Sequence, residues 1–431
     1  MPLAAASDRL LYQGIPLACY VYNAKSSTEV QNQLEQALAL VAVANQYSLA
    51  KDYTQAKNTL ELSLRYVHSS LASDRDQIYA LVQVAKGFQQ AQDQELAQAV
   101  FAQAEQLLPN IFGRDQIFSQ IALAEGYGTP RGLELLSQAV DAADRLTDNY
   151  AKARALTAAA QVYRQLPDQQ TTSKKLLDQD LELVKTFSNA AAASRVELEI
   201  ATTYAQLGEN DLANQTLKAA ITALDDPSGV VLPIAYDYLA SSYLSVNNVQ
   251  AARSAIAQMP DSYGKLRQLT QLAQLEIDRQ DFKQAKQDAS QSLAIANQLE
   301  QPERQPQALS LLAPIYAQLS QTTKAVDLLN QGISLALRLE NTLDRVNNLV
   351  IIGQTFNQIG QLNRAKQVLD QAYEIARQAE RVSDRPGLID TVVSSFGLIG
   401  DYDRALDITR GTPQIPLRSQ KIRLYECASH A

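Results

Sequence analysis

The sequence contains few of the residues that carry catalytic chemistry. Its 431 residues include only two histidines, two cysteines and no tryptophan. His68 and His430 are far apart, and no group of His, Cys, Asp or Glu has the spacing of a metal-ligand set. No serine or cysteine has a base partner nearby, and no glycine-rich phosphate loop is present. We therefore expect neither an enzyme nor a protein that binds a metal or another cofactor.

The two cysteines give little reason to expect oxidation. Cys19 and Cys427 lie near opposite ends of the chain. Because the repeats described below predict an elongated body, we expect that these residues do not form a disulfide. Folding would then not depend on an oxidising environment, which is compatible with the cytoplasmic location that we predict.

Long hydrophobic runs are also missing. The apolar segment 10–22 is too short to span a bilayer, and Asp8 and Arg9 cancel the positive charge that precedes the apolar part of a signal peptide. The segment 16–19 (Pro-Leu-Ala-Cys) resembles a bacterial lipoprotein cleavage site, except that proline stands where that motif has leucine. Export or lipid anchoring through Cys19 is therefore the alternative location. The simpler interpretation of this region is a cap that covers the first repeat.

Basic residues are too few for a nucleic-acid surface. The 38 Lys and Arg residues are outnumbered by 46 Asp and Glu residues, which gives a formal net charge of −8. Binding of phosphates needs a basic surface. Helical repeats that bind RNA also need a base-contacting residue at one recurring position, and only fragments of such a pattern are present. We therefore do not expect nucleic acid as a partner.

What the sequence does contain is a repeat of roughly 40 residues. A small residue, nearly always alanine, recurs inside the same two-helix pattern, at Ala44, Ala85, Ala122, Ala160, Ala201, Ala240, Ala273, Ala313, Gly353 and Val393. A regular period of this length is typical of stacked helical hairpins. The fold class predicted is therefore all-α, an α-α superhelix of about ten helical hairpins.

The segment 74–109 shows the pattern most clearly. Its first helix carries an apolar stripe at Leu81, Val84, Ala85 and Phe88, and its second helix carries one at Ala97, Phe101 and Ala104. Alanine at facing positions lets two helices pack closely. A larger residue there would overpack the contact, at a cost of roughly 1–3 kcal/mol.

This layout resembles the tetratricopeptide repeat family over roughly residues 34–410. The match is a small residue, an aromatic three residues later, a glycine or polar turn, and then alanine, a large apolar residue and alanine, as in Gly353, Phe356, Gly360, Ala365, Leu369 and Ala372. Some repeats are degenerate, and Glu125 and Glu276 stand where an aromatic is expected. The units are longer than the usual 34 residues, which suggests a longer-period branch, and HEAT-type repeats are the main rival.

The irregular parts of the repeat series predict a division of the chain. The loop signals at 225–233, together with Pro260 and Gly264, predict a bend and a short second helix at about 249–258. We predict an N-terminal cap segment at 1–33, an N-terminal lobe at 34–225, an irregular repeat and bend at 226–265, a C-terminal lobe at 266–410 and a C-terminal cap helix at 411–431.

The resemblance implies that the first helix of each repeat lines a concave groove. The side of these helices away from the apolar stripe is polar. Its predicted groove residues are Arg154, Thr157, Gln161, Arg164, Arg195, Thr202, Asp237, Ser241, Arg267, Thr270, Gln274, Asn347, Gln354, Asn357, Asp390 and Ser394. Four of them are arginines, which pair well with carboxylates.

The function expected from this pattern is binding without catalysis. We predict an interaction scaffold, in the sense of an adaptor or assembly factor of bacterial type, whose groove holds a protein or a peptide with an acidic segment. The alternative is a sensing module that changes curvature when it binds a ligand or peptide. The lysine and asparagine set with which some relatives clamp a peptide's terminal carboxylate is not found.

Overall fold

The computed structural model describes residues 16–26, 33–70, 72–223, 231–416 and 418–430. Within these ranges the chain forms 22 α-helices, one short 3-10 helix and no strand. The all-α prediction is confirmed. Residues 1–15 and 27–32 of the predicted N-terminal cap and most of the loop predicted at 225–233 lie outside the described residues.

The chain folds into two compact units. The described part of the first unit runs from residue 33 to 246 and contains α2 (Gln33–Leu49), α3 (Tyr53–Ser69), α4 (Asp74–Gln90), α5 (Gln94–Gln106), α6 (Arg114–Tyr127), α7 (Arg131–Asp144), α8 (Asn149–Gln165), α9 (Gln170–Val184), α10 (Ala190–Gln206), α11 (Asn210–Ala223) and α12 (Val231–Ser245).

The second unit joins residues 16–26 to residues 247–430. It contains α1 (Leu17–Ser26), α13 (Val249–Ala257), α14 (Tyr263–Asp278), α15 (Phe282–Gln298), α16 (Arg304–Gln318), α17 (Thr322–Ala336), α18 (Thr342–Gln358), α19 (Leu362–Arg377), α20 (Arg385–Leu398), α21 (Tyr402–Gly411) and α22 (Arg418–His430). The short second helix predicted at about 249–258 is α13, with nine residues. The other predicted domain limits stay predictions.

Successive helices form hairpins, and we call the first helix of each hairpin A and the second B. Within each unit an A helix contacts its own B helix and the A helix of the next hairpin. The core consists of the predicted apolar stripes, since Ala85, Phe88, Ala97 and Phe101 are completely buried. Each hairpin therefore buries its apolar faces mainly against its neighbours, as expected of a repeat array.

One residue with a left-handed backbone marks each turn between A and B. These residues are Lys51, Gln92, Gly128, Asp168, Gly208, Asn247, Gln280, Ser320, Gly360 and Gly400, with φ between 58° and 82°. Nine of them lie between two helices of the same unit, and Asn247 is the residue at which the second unit resumes. Only four of the ten are glycine, the residue that adopts this conformation without steric cost, so a search for glycine alone misses most turns.

The register predicted for the third hairpin was wrong by two residues. Ala122 is only half-buried and Glu125 is exposed, whereas Ala124 is completely buried. Tyr127, three residues after Ala124, then supplies the aromatic that seemed to be missing, and its ring lies 5.0 Å from that of Phe101. The spacing of small residue and aromatic is therefore kept in this hairpin.

The expectation that the cysteines stay apart was also wrong. Cys19 of α1 and Cys427 of α22 form a disulfide with their Cα atoms 5.7 Å apart, across a sequence separation of 408 residues. Helix α1 packs against the last helix of the chain within the second unit, not over the first repeat as expected. The error arose because the linear repeat pattern contains no information about where a short terminal helix docks.

Candidate functional site

Half-buried polar side chains of the A helices connect one repeat to the next, and two of their acceptors, Thr203 and Ser395, are buried. In the first unit, Lys86 Nζ lies 2.7 Å from Glu125 Oε2, and Gln161 donates to the Thr203 hydroxyl at 3.4 Å. In the second unit, Gln354 donates to the Ser395 hydroxyl at 2.8 Å. Each of these contacts joins equivalent A helices, so the side chains share one face. We call it the A-helix face of each unit.

The predicted residues of the first unit lie on or beside this face, with one exception. Arg195 is exposed, and Arg154, Gln161, Arg164, Thr202, Asp237 and Ser241 are half-buried. Thr157, in contrast, is 1% exposed and donates its hydroxyl hydrogen to buried Asp180. Thr157 therefore belongs to the interior, and its inclusion among the groove residues was wrong.

In the second unit the predicted residues divide in a similar way. Arg267 is exposed, and Gln274, Asn347, Gln354 and Asn357 are half-buried. Thr270 is buried and donates to the Leu266 carbonyl within its own helix, so its assignment to the groove was also wrong. Gln274 and Gln318 donate amide hydrogen bonds to each other, both at 2.8 Å.

Helix α22 occupies the last part of the predicted surface. Lys421 Nζ lies 2.6 Å from Asp390 and 3.1 Å from the Ser394 hydroxyl. The Tyr425 ring reaches Gly397, where an added Cβ would lie 2.7 Å from it. Asp390 and Ser394 are therefore engaged by the C-terminal helix and are not part of an open groove.

The arginines of the first unit are only partly compensated by carboxylates. Arg154 Nε lies 3.8 Å from Glu199, and Arg195 Nε lies 4.0 Å from the same carboxylate. Arg164 forms no ion pair in the described residues, its Nε is buried without a hydrogen-bond partner, and burial lowers the pKa of its guanidinium. On this face of α8 and α10, three cations thus accompany one carboxylate.

A shallow cavity of about 370 Å³ lies on the same face of the first unit. Its lining residues come from three successive A helices and are Lys86, Gln89, Gln90, Glu125 and Gln165. Sequence reasoning missed them, although Lys86 and Gln90 occupy the same polar side of their helix as the positions chosen elsewhere. The signal was available from the period of 3.6 residues, but the wrong register at Ala122 displaced the polar side of α6.

Two buried carboxyl groups lie beneath the surface of the repeats. Asp180 in the first unit is completely buried, and burial raises its pKa to about 7, although the Thr157 hydrogen bond acts in the opposite direction. Glu276 in the second unit is 2% exposed. Burial and a hydrogen bond with Asp288 raise the pKa of Glu276, and Arg253 opposes this shift.

The Arg253 cluster explains the degenerate repeat at 263–298. Glu276 stands three residues after Ala273, where the other repeats place an aromatic. The guanidinium of Arg253, from the short helix α13, pairs with both Glu276 and Asp288. An ionic cluster therefore replaces the aromatic packing of the neighbouring hairpins.

No group of three or more His, Cys, Asp or Glu side chains among the described residues could hold a metal ion. Within the same ranges, no helix is both long enough and apolar enough to cross a membrane.

Paired helices that stack through their A helices define the class of helical repeat proteins. The sequence model of the tetratricopeptide repeat matches residues 346–378, which cover most of α18 and all of α19. With its hairpins, buried alanines and recurring aromatics, the chain is a tetratricopeptide-like repeat protein. A comparison with curated proteins gave no match.

Several solved structures are similar over much of the chain. Ton1535 from Thermococcus onnurineus NA1 is 12% identical with a TM-score of 0.36, covering 82% of this chain and 98% of that one. The TPR-like repeats of a putative kinesin light chain from Podosopora anserina are 18% identical with a TM-score of 0.27, covering 55% and 100%. The quorum sensor NprR from B. thuringiensis is 13% identical with a TM-score of 0.29, covering 78% and 97%. At these values the similarity says nothing about the partner of this chain.

Proposed function

We propose that this protein is a non-enzymatic scaffold or assembly factor that binds a protein or peptide segment on its A-helix faces. The observation that carries the proposal is the set of polar contacts between neighbouring A helices within each unit. Such a surface offers donors and acceptors at regular intervals, which suits an extended or helical segment better than a small substrate. The tetratricopeptide match at 346–378 is consistent with this role.

The first unit is the better candidate for an acidic segment. Arg154 and Arg195 share one carboxylate, Glu199, and Arg164 forms no ion pair among the described residues, while the chain as a whole carries a charge of −8. Arg154 and Arg164 are ten residues apart on α8, which corresponds to about 15 Å along the helix. A segment with two acidic side chains separated by several residues would meet both arginines, and Arg164 would gain the partner that it lacks.

The second unit offers a different chemistry. Gln274, Asn347, Gln354 and Asn357 are half-buried amides on its A-helix face, and each amide can both donate and accept. Arg267 is the single arginine among the predicted groove residues of this unit. We expect this face to bind peptide backbone or neutral polar side chains rather than an acidic cluster.

The location of the protein belongs to the same proposal. A cytoplasmic location was predicted, and the expectation of unpaired cysteines was compatible with it. Because disulfides persist mainly in oxidising compartments, the Cys19–Cys427 bond favours the alternative of an exported protein.

The test begins with the full-length protein immobilised as bait, followed by mass spectrometry of the retained material. One abundant protein or peptide supports the scaffold. Retention of small molecules alone would support the sensing module instead and would overturn the proposal.

The retained partner is then titrated against the wild type and the Arg195→Glu and Lys185→Glu variants. Each titration is done at about 0.05 and 0.5 M salt, below and above the usual screening range. Arg195→Glu should weaken binding of an acidic segment, and salt should do the same, because steering by surface charges is screened. Lys185→Glu is the matched control, since Lys185 is exposed at the end of a B helix and pairs with Glu182. Equal binding by all three proteins at both salt concentrations would show that the arginines are only a solvated face.

A further inference from the structure

The Cys19–Cys427 disulfide closes the chain between its first and last described helices. These are the only two cysteines of the sequence, and 408 residues separate them. Helix α1 belongs to the second unit and packs against α22. The proposed binding function makes no use of this bond.

Packing alone gives α1 little to hold it. The helix has ten residues, and of its five side chains that the structure describes, Leu17 to Val21, only Cys19 is completely buried. A helix of this length is marginal in water unless it packs against other structure. Among the described residues of α1, the covalent link to α22 is therefore a principal constraint on the position of the helix.

A surface rich in tyrosine lies where the two helices meet. Tyr20 of α1 is half-buried and lies near Tyr402 and Tyr425. Burial, followed by the neighbouring Tyr402, raises the pKa of the Tyr20 hydroxyl. Tyr425 itself is 0% exposed. Departure of α1 would bring water to Tyr20 and to the side of α22 that carries Cys427.

The two cysteine residues differ in their exposure. Cys19 is completely buried, whereas Cys427 is half-buried. An external dithiol would therefore react first at Cys427. Its thiolate attacks Cys427 Sγ and forms a mixed disulfide, and Cys19 leaves as a thiolate that takes up a proton. The second thiol of the reagent then displaces Cys427, so that two electrons pass from the dithiol to the protein and the reagent becomes a disulfide.

We propose that the Cys19–Cys427 bond is a reversible redox lock that holds α1 on α22. In the oxidised protein α1 is fixed against the side of α22 that carries Cys427. After reduction α1 is released while the hairpins of the second unit stay folded, because the contacts of α1 among the described residues are made mainly with α22.

Hydrogen exchange measured by mass spectrometry tests the lock on the full-length protein. The oxidised protein is compared with protein that has been reduced by dithiothreitol under native conditions and alkylated with iodoacetamide. Exchange in peptides from 17–26 should become about tenfold faster or more, as expected for local opening. Peptides from α18 and α19 provide the internal control and should not change.

The Cys19→Ser and Cys427→Ser variants give the same comparison without alkylation. Unchanged protection of 17–26 after reduction and in both variants would overturn the proposal, because packing alone would then hold α1. The proposal would also be overturned if dithiothreitol failed to reduce the bond under native conditions. Loss of protection throughout α14–α21 would overturn it as well, since the disulfide would then be a structural requirement of the unit. These outcomes are independent of whether a partner binds the A-helix faces.

Discussion

Arg253 and Asp288 form a two-pronged ion pair inside the second unit, with Nη1–Oδ1 and Nη2–Oδ2 distances of 2.8 and 2.9 Å. The carboxylate side chain is 1% exposed and the guanidinium side chain 31%. Parallel hydrogen bonds of this kind are stronger and more specific in geometry than a single contact. The pair joins α13 to α15 at the place where the repeat period shortens, so it compensates locally for the missing aromatic.

Removal of the Arg253 guanidinium should therefore destabilise the folded protein. In Arg253→Met, Glu276 and Asp288 remain buried without their cation, and we expect a loss of roughly 3 kcal/mol in the free energy of unfolding. Urea denaturation, monitored by circular dichroism, measures this loss in the free energy of unfolding. Adding Asp288→Asn to this variant should recover part of the loss, because the carboxylate that Arg253 pairs with is then no longer buried without its cation. The exposed pair of Arg377 with Glu374 supplies the control Arg377→Met, and an equal loss there would refute the role assigned to the cluster.

The left-handed turns of two successive hairpins give a matched pair of substitutions. Ser320 and Gly360 have φ of 61° and 77° at equivalent turns. Since an L-residue in this conformation costs roughly 1–2 kcal/mol, Gly360→Ala should destabilise the protein by about 1 kcal/mol. Ser320→Gly should be neutral or stabilising by up to about 1 kcal/mol, because the greater entropy of glycine in the unfolded chain offsets part of the gain. Thermal denaturation of both variants is the measurement, and the same sign for both would contradict the assignment.

The small residue at the A-to-B contact can be tested at Ala201. This residue is 1% exposed, and Ala201→Leu should destabilise the first unit by roughly 1–3 kcal/mol through overpacking. The neighbouring Thr202 is half-buried on the A-helix face, and Thr202→Leu should cost much less. Chemical denaturation compares the two variants with the wild type. If both substitutions cost the same, the helix faces are assigned incorrectly.

The buried Asp180 should make stability depend on pH. Its pKa in the folded protein is raised from 3.8 to about 7, so its contribution to stability is complete below 3.8 and is lost as the pH rises through 7. For a single group, the free energy of unfolding changes by at most about 1.4 kcal/mol per pH unit. Asp180→Asn should flatten this part of the profile and stabilise the protein at pH 8 relative to the wild type.

Urea midpoints between pH 4 and 8 measure that effect. Asp211→Asn, at an exposed position of α11, is the control and should leave the profile unchanged. A profile that keeps its slope in Asp180→Asn would show that another group causes it.

The sequence by itself determined the hairpins and most of their buried faces. A period of 3.6 residues is a local property, so it identifies which side of a helix is apolar without knowledge of any distant residue. Completely buried Ala201, Tyr204 and Ala213 were predicted in this way. The same reasoning found most residues of the A-helix faces, but it assigned Thr157 to the surface because it could not locate Asp180.

Only the tertiary structure decided which distant groups meet. The sequence showed that Glu276 breaks the pattern, but its partner Arg253 comes from the preceding hairpin and fits only because α13 is short. The contact of Gln274 with Gln318 depends on the register between two A helices. The disulfide depends on the docking of α1 on α22. Each of these contacts is fixed by the relative position of packed helices, a property that the hydrophobic period of a single helix does not contain.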